Sequence, residues 1–428
     1  MTASLINRLR SSRRAFRDLL TRRPSWFAVL AMGLLLAPLV GSPRGDGRPD
    51  VIKIVSSLPR TGSVKLQTDS IVRGIRLAFD EADWRAGAFR IEYADWDDAT
   101  AAAGQWTAEA EIANANRAVL DPDVMIYLGT YNSGAAKISM PSLNRAGLLM
   151  LSPVNTWPGL TKPGRGDPGE PDIYRPTGRV TFARVVPTDD LQGPLGAEWA
   201  RELGAKRVYV LDDTEVYGRG IATLFAQRCR EIGVAVLGHE SIDAKAPEFK
   251  SLMTTIKTLR PDLVYFGGTT QTKAGQLAKD MTAVGLTCKL MVPDACMEEV
   301  FLRSAGAENL NDRCYVTFGG LPPQHLTGPG RRFVENYQTR YGGLPEVYAI
   351  YGYEAAKVAL TAIERAGKKN RRAILAACLA LRDFDCGALG VWSFDANGDS
   401  TLRGLSGSIV RDGRFQFIKA FGAPGDQK

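Results

Sequence analysis

Residues 124–161 read VMIYLGTYNSGAAKISMPSLNRAGLLMLSPVNTWPGLT, and the order of residue types in this stretch decides the fold. Val124–Gly129 is a short apolar run of the kind found in strands buried on both faces. Small and polar residues turn the chain at 130–134. A helix is expected from about Ser133 to Arg145, and a second buried strand over 148–151, ending in Ser-Pro-Val-Asn-Thr-Trp-Pro. Strand, helix and strand at this spacing imply a parallel pair with a crossover. On such sheets ligands sit beyond the carboxyl ends of the strands. A helix starting near Ser133 aims free N–H groups and the positive end of its dipole into that space, which suits a carboxylate.

The same rhythm extends in both directions. Before the stretch, strands are expected at 52–56 and 89–93 and helices at 68–82 and 107–120. After it, residues 162–178 are rich in proline and glycine and read as a loop, as a surface excursion in preference to a lid. From Arg184 a second βα series begins. Its helices are expected at 193–203, 221–232, 249–259 and 274–284, and its strands at 207–211, 234–238, 263–266 and 289–292. A strand at 313–318 leads to helices at 331–341, 348–366 and 370–380, and a β-ribbon at 391–394, 408–411 and 415–419 closes the chain. The fold class is therefore α/β, with two doubly wound parallel-sheet lobes that repeat an architecture without repeating a sequence. Phe394-Asp-Ala-Asn-Gly-Asp399 resembles a calcium loop but lacks the closing glutamate, so a turn is expected. Asp97 and Asp98 are expected to cap the helix that follows them, in preference to a ligand contact.

The front of the chain is different. Seven arginines against one aspartate put +6 on residues 1–41, leaving only +2 of the whole chain's +8 for the remainder. The basic balance thus belongs to a leader and implies no nucleic-acid surface. Residues 26–40 form an uncharged apolar run of 15 residues, short for a membrane span and right for an export signal. Ser12-Arg13-Arg14-Ala15-Phe16-Arg17 looks like a twin-arginine consensus. Residues 1–41 are read as an export signal or signal anchor and 42–49 as a tether, which places the body outside the cytoplasm, in the periplasm or its equivalent. Six cysteines are compatible with disulfides in that setting, Cys378 with Cys386 being the expected local pair. There is no CxxC, and the two histidines, His239 and His325, have no other ligand type near them in sequence. No metal, no cofactor and no histidine-dependent triad is expected. GxSxG, a P-loop and GxGxxG after a strand are also missing, so an enzyme is disfavoured.

The strand tips read SSLPRTG, GTYNSGA, SPVNTWPGLT, PTDDLQG, DDTEVYG, YFGGTTQ and VPDA in that order, followed by VYAIYGYEAAKVAL and WSFDANGD. Together they resemble the extracytoplasmic solute-binding proteins of branched-chain amino acid ABC transporters, which have the type I periplasmic-binding-protein fold. The resemblance covers about Val51 to Lys419. It implies a three-crossover hinge between lobe 1 (50–186 plus 319–389) and lobe 2 (187–318 plus 390–428). It also implies a clamp on an amino acid, with the carboxylate held at Ser133, Val154, Asn155 and Thr156. The ammonium would meet Asp294, one carbon shorter than the family's usual glutamate, with Tyr217 and Tyr348 as aromatic partners. Two positions depart from the pattern. Gln67, and Thr269 or Thr270, stand where the family carries aromatics, which makes the pocket more polar and opens it to a polar amino acid, an amide or another small carboxylate. Asp189, Asp190 and Gln192 fall at a crossover and are expected to form hinge hydrogen bonds. The tyrosines at 348, 351 and 353 cannot all face the cleft from one helix, and Tyr348 is the one expected to do so. The implied partner is a membrane ABC permease. A membrane-anchored ligand-sensing receptor with the same clamp is the alternative.

Overall fold

The computed structural model describes residues 50–421. The leader and tether readings lie outside the described residues. The first βα series runs β1 (Val51–Leu58), α1 (Lys65–Asp80), β2 (Arg85–Ala86), β3 (Phe89–Asp97), a small ribbon of β4 (Ala99–Thr100) and β5 (Gln105–Trp106), α2 (Ala108–Leu120), β6 (Val124–Gly129), α3 (Ser133–Arg145), β7 (Leu149–Ser152) and β8 (Phe182–Arg184). The second runs α4 (Asp189–Glu202), β9 (Arg207–Asp212), α5 (Val216–Glu231), β10 (Ala235–Ser241), α6 (Lys250–Thr258), β11 (Leu263–Gly267), α7 (Ala274–Ala283), β12 (Lys289–Val292), α8 (Glu299–Ala305), α9 (Ala307–Leu310) and β13 (Cys314–Phe318). Then follow α10 (Gly328–Tyr341), α11 (Ala349–Ala366), α12 (Arg371–Leu379) and the ribbon of β14 (Leu405–Arg411) and β15 (Arg414–Phe421).

One sheet has the order β2-β3-β1-β6-β7-β8, the other β10-β9-β11-β12-β13-β14-β15. Both are parallel except at their edges, where β2 runs against β3, and β14 and β15 run antiparallel beside β13. Both faces of each sheet are covered, which is why the strands read as continuous apolar runs. On the first sheet Ile126 and Leu128 join the core under α1 and α11, while Tyr127 joins the one under α2 and α3. Helices α1 and α11 touch backbone to backbone. A Cβ on Gly352 would stand 2.4 Å from the Ile71 carbonyl oxygen, so that position admits glycine alone without a shift.

The chain passes between the sheets three times, after Arg184, after Phe318 and before Leu405. Arg184 is fully buried and ties the first passage to the third. Its Nε donates to Asp399 Oδ1 at 2.7 Å, and its Nη1 donates to the carbonyls of Asn155 and Trp157 at 3.0 and 2.8 Å. Its Nη2 donates to the Thr161 hydroxyl, which in turn donates to Asp399 Oδ2 at 3.0 Å. Residues 394–399 form the expected turn, with Asp395 Oδ1 accepting from the backbone of Asn397 and Asp399. Its second aspartate is thus committed to Arg184.

Several expectations need correction. Thr107, whose hydroxyl accepts from the Ala110 N–H, caps α2. Asp97 instead holds the Arg60 backbone N–H and the Thr61 hydroxyl, and Asp98 is buried without a partner. Residues 391–394 form no strand, only isolated bridges from Trp392 to Phe384 and from Phe394 to Ser400. The Trp392 indole is turned inward to donate to Glu354. Cys378 and Cys386 are not paired. The first is on the buried face of α12, the second is exposed beside Asp385, and all six cysteines are free. The 162–178 loop is the surface excursion expected, held down by the buried Glu170, Pro171 and Tyr174. Glu170 accepts from the Trp157 indole at 2.9 Å and the Tyr174 hydroxyl at 2.5 Å and pairs with Lys137, while Arg175 reaches the carbonyls of Thr161 and Asn397. None of its residues lines the cleft described next.

Candidate functional site

A narrow cleft with a cavity volume of about 20 Å³ lies where strand ends of the two sheets face each other. It is lined by Ser133, Val154, Thr156, Tyr217, Thr269, Asp294 and Tyr348, all anticipated from sequence, and by Tyr131, Asn132 and Ala295, which were not. Asn155 and Gln67 do not line it.

The first wall is made by the tips of β6 and β7. Ser152 Oγ accepts from the N–H groups of Val154 and Asn155 at 3.1 and 2.8 Å and bends the chain after β7. The Asn155 side chain turns away from the cleft and staples the tips together. Its Oδ1 accepts from the Thr130 N–H at 3.1 Å and its Nδ2 donates to the Tyr131 carbonyl at 3.0 Å. This fixes Ser133 as the first residue of α3, where the first-turn N–H groups have no helical acceptor. Thr156 and Ser133 therefore place hydroxyls beside the first turn of α3, an anion-binding pole, with Ser133 Oγ also accepting from the Trp157 N–H at 3.4 Å.

The second wall is acidic. Asp294 follows β12 and is only 2% exposed. Its Oδ1 accepts from the Tyr217 hydroxyl at 2.6 Å and from Gln192 Nε2 at 2.7 Å, and its Oδ2 accepts from the Tyr348 hydroxyl. Gln192 also donates to Thr317, so the hinge role expected of it is combined with support of the acid. Asp190 is held by Lys162 at 2.8 Å. Burial raises the Asp294 carboxyl above its ordinary value against the pull of these donors. Burial, and then the nearby Asp294, holds Asp189 well above its own. Tyr351 and Tyr353 point elsewhere, to the Gly319 carbonyl and to Glu81. Among the described residues lining the cleft there is no lysine, arginine or histidine.

Gln67 lies one layer back. Because α1 starts at Lys65, Gln67 sits in its first turn, fully buried, and accepts from the Tyr131 hydroxyl at 2.5 Å. The aromatic missing at position 67 is thus supplied by Tyr131 from another element. An aromatic inside the small-residue turn YNSG was the available signal for it. The lobes also meet outside the cleft. The Trp157 ring packs where a Cβ on Gly220 of α5 would come within 2.3 Å of it, and Arg219 pairs with Asp167 at 3.1 Å.

Buried acids elsewhere set a pH dependence. Burial pushes Glu111, Glu346 and Glu354 up to about 7 and Glu298 up to about 8, from an ordinary 4.5. The folded state therefore keeps protons that the unfolded chain releases, so stability falls as pH rises from about 4.5 through 7–8. The melting temperature of the ligand-free protein is expected to be higher at pH 5.5 than at pH 8 by calorimetry. An equal or lower value at pH 5.5 would contradict this assignment of buried, protonated acids.

The family model described as periplasmic binding protein matches residues 51–406. The chain belongs to the periplasmic binding protein family. An amino acid binding protein of Pseudomonas aeruginosa is 29% identical over 261 residues, 60% of this chain and 65% of that protein. A leucine-, isoleucine-, valine-, threonine- and alanine-binding protein of the same organism is 25% identical over 82% of this chain and 87% of its own length. Among solved structures, a leucine binding protein from Thermotoga maritima superposes with a TM-score of 0.76 at 25% identity, over 86% of this chain and 98% of that one. Membership of the periplasmic binding proteins agrees with a body outside the cytoplasm, and the two-lobed α/β architecture with three passages is that of their type I members. Among the described residues no helix is long and apolar enough to cross a membrane, and no group of His, Cys, Asp and Glu is arranged to hold a metal.

Proposed function

We propose that this protein is the extracytoplasmic solute-binding component of an ABC importer, exported by its N-terminal signal, and that it clamps an amino acid or related small carboxylate between its lobes. The observation that carries this reading is the pairing of opposite poles across one small cleft. Ser133, Thr156 and the start of α3 offer hydroxyls and N–H groups, and Asp294 offers a buried carboxylate backed by Tyr217, Tyr348 and Gln192. A zwitterion matches both poles, and charge-assisted hydrogen bonds are the strong kind. Ligand bridging the walls favours the closed arrangement of the hinge, and no bond is made or broken. A membrane permease would receive the solute. The amino acids named for the relatives support the same class of ligand.

A thermal-shift screen of the full-length protein against amino acids, their amides and small organic acids tests this, because binding to the native state alone raises the melting temperature. Ser133→Ala and Thr156→Val are each expected to weaken a confirmed ligand by about 1.5–3 kcal/mol, the worth of a hydrogen bond to a charged group. Silence across the whole panel would sink the proposal.

A further inference from the structure

Beside the cleft, the two lobes meet through an indole ring. Trp157 directly follows the cleft-lining Thr156 but does not line the cleft itself. It is 9% exposed. Its Nε1 donates to Glu170 Oε2 at 2.9 Å, and the Lys137 ammonium, which pairs with Glu170, stands 5.7 Å from the ring centre. Lobe 1 thus fixes the orientation of the ring. The six-membered part of the indole meets α5 of lobe 2, where a Cβ on Gly220 would stand 2.3 Å from Cζ3 and 2.4 Å from Cε3. Val216 and Leu224 pack against the same apolar cluster as the ring, and residues 216, 220 and 224 fall on one face of the helix. A glycine between two aliphatic side chains makes a seat that fits a flat ring. The polar pair at its margin, Arg219 with Asp167, is half exposed and contributes little.

Each side of this contact leads into one pole of the cleft. On lobe 1 the Trp157 N–H donates to Ser133 Oγ at 3.4 Å, and its carbonyl accepts from Arg184 at 2.8 Å. On lobe 2, Gly220 lies about one turn beyond Tyr217, whose hydroxyl donates to Asp294 at 2.6 Å. The ring therefore stands between the element that carries the hydroxyl pole and the helix that supports the acidic one.

Resting on the clamp reading above, we infer that Trp157 is a positioning residue for ligand binding: its ring, seated on Gly220, sets the spacing of the two poles and stabilises the closed arrangement of the lobes. Losing the contact lowers the fraction of binding-competent protein, so the apparent dissociation constant rises by one factor for every ligand that needs both walls. A residue that touched the ligand would instead discriminate between ligands.

The test titrates the full chain with alanine, threonine and leucine by calorimetry and follows their dissociation by stopped flow. Trp157→Ala, and Gly220→Leu in the opposite lobe, are each checked for a cooperative melt. Leucine is a better helix former than glycine, so α5 itself is not weakened. Both variants are expected to weaken every probe that binds by a common factor of at least fivefold, carried mainly by faster dissociation. The double variant, in which leucine fills the space the ring leaves, is expected to bind more tightly than either single variant. Additive losses in the double variant would mean that Trp157 acts only by holding Thr156, and would overturn the inference. Unchanged affinity in either single variant, or losses that differ between probes, would overturn it as well. If none of the three probes binds the unaltered protein, the amino-acid reading fails on its own and small-angle scattering decides the seat. A larger radius of gyration in both single variants then supports it, and an equal one overturns it.

Discussion

Asp294→Ala is expected to weaken binding of any ligand that carries an ammonium group by about 2–5 kcal/mol, the cost of truncating one partner of a buried charge pair. At about 1.4 kcal/mol per decade, this weakens the dissociation constant by a factor between roughly 30 and several thousand. The carboxylate is one carbon shorter than the glutamate usual in the family the sequence resembles, but the structure brings its partners to it. Tyr217, Gln192 and Tyr348 converge on its two oxygens. An ionised carboxylate accepts about four hydrogen bonds, so three protein donors leave room for one from the ligand. Burial has already raised its proton affinity, so a cation that pairs with it gains the full interaction of a desolvated charge. Asp294→Asn keeps the shape and the tyrosine contacts but removes the charge, and should lie between wild type and alanine. The free protein should lose little stability, because the alanine also relieves the repulsion with buried Asp189. Titration calorimetry with an amino acid and with its deaminated analogue separates the cases. An unchanged affinity for the amino acid in Asp294→Ala would remove the ammonium role.

What the sequence made legible was set by local physics. β6, α3 and β7 were readable because buried parallel strands are short apolar runs bounded by small residues, and Ser133 stood at the only place where the turn could become a helix. Thr156, Asp294 and Tyr217 were not legible from local physics and came only as what the family resemblance of the strand tips implies. Packing decided the rest. Asn155 shares a tip with Thr156, yet its amide fits the gap between two backbones, so it braces the site instead of facing it. Gln67 withdrew behind Tyr131 because α1 starts three residues earlier than its apolar spacing indicates. Asp97 and Asp98 have the right chemistry for a cap, but the β4–β5 ribbon separates them from α2 and leaves Thr107 at its start.

The hinge should be the most fragile part of the molecule. Arg184→Met is expected to cost about 3–5 kcal/mol of unfolding free energy, the usual penalty for breaking a buried ion pair by removing one partner. Arg184 is fully buried and Asp399 nearly so, and the aspartate would be left charged without its guanidinium. Burying such a pair is often no better than burying two apolar groups of equal volume, so Arg184→Met combined with Asp399→Leu should recover part of the loss. Recovery should stop short of wild type, because Arg184 also serves the carbonyls of Asn155 and Trp157, and these would remain buried and unpaired in the double variant. The same two carbonyls flank Thr156. Loosening them frees the residue that presents its hydroxyl to the ligand, so both variants should bind more weakly even where they are fully folded. Urea unfolding gives the stability term, and ligand titration well below the melting temperature gives the binding term. A loss under about 1 kcal/mol, within the range of ordinary surface pairs, would mean that Arg184 is a passenger in the hinge and that the passages are held by the backbone alone.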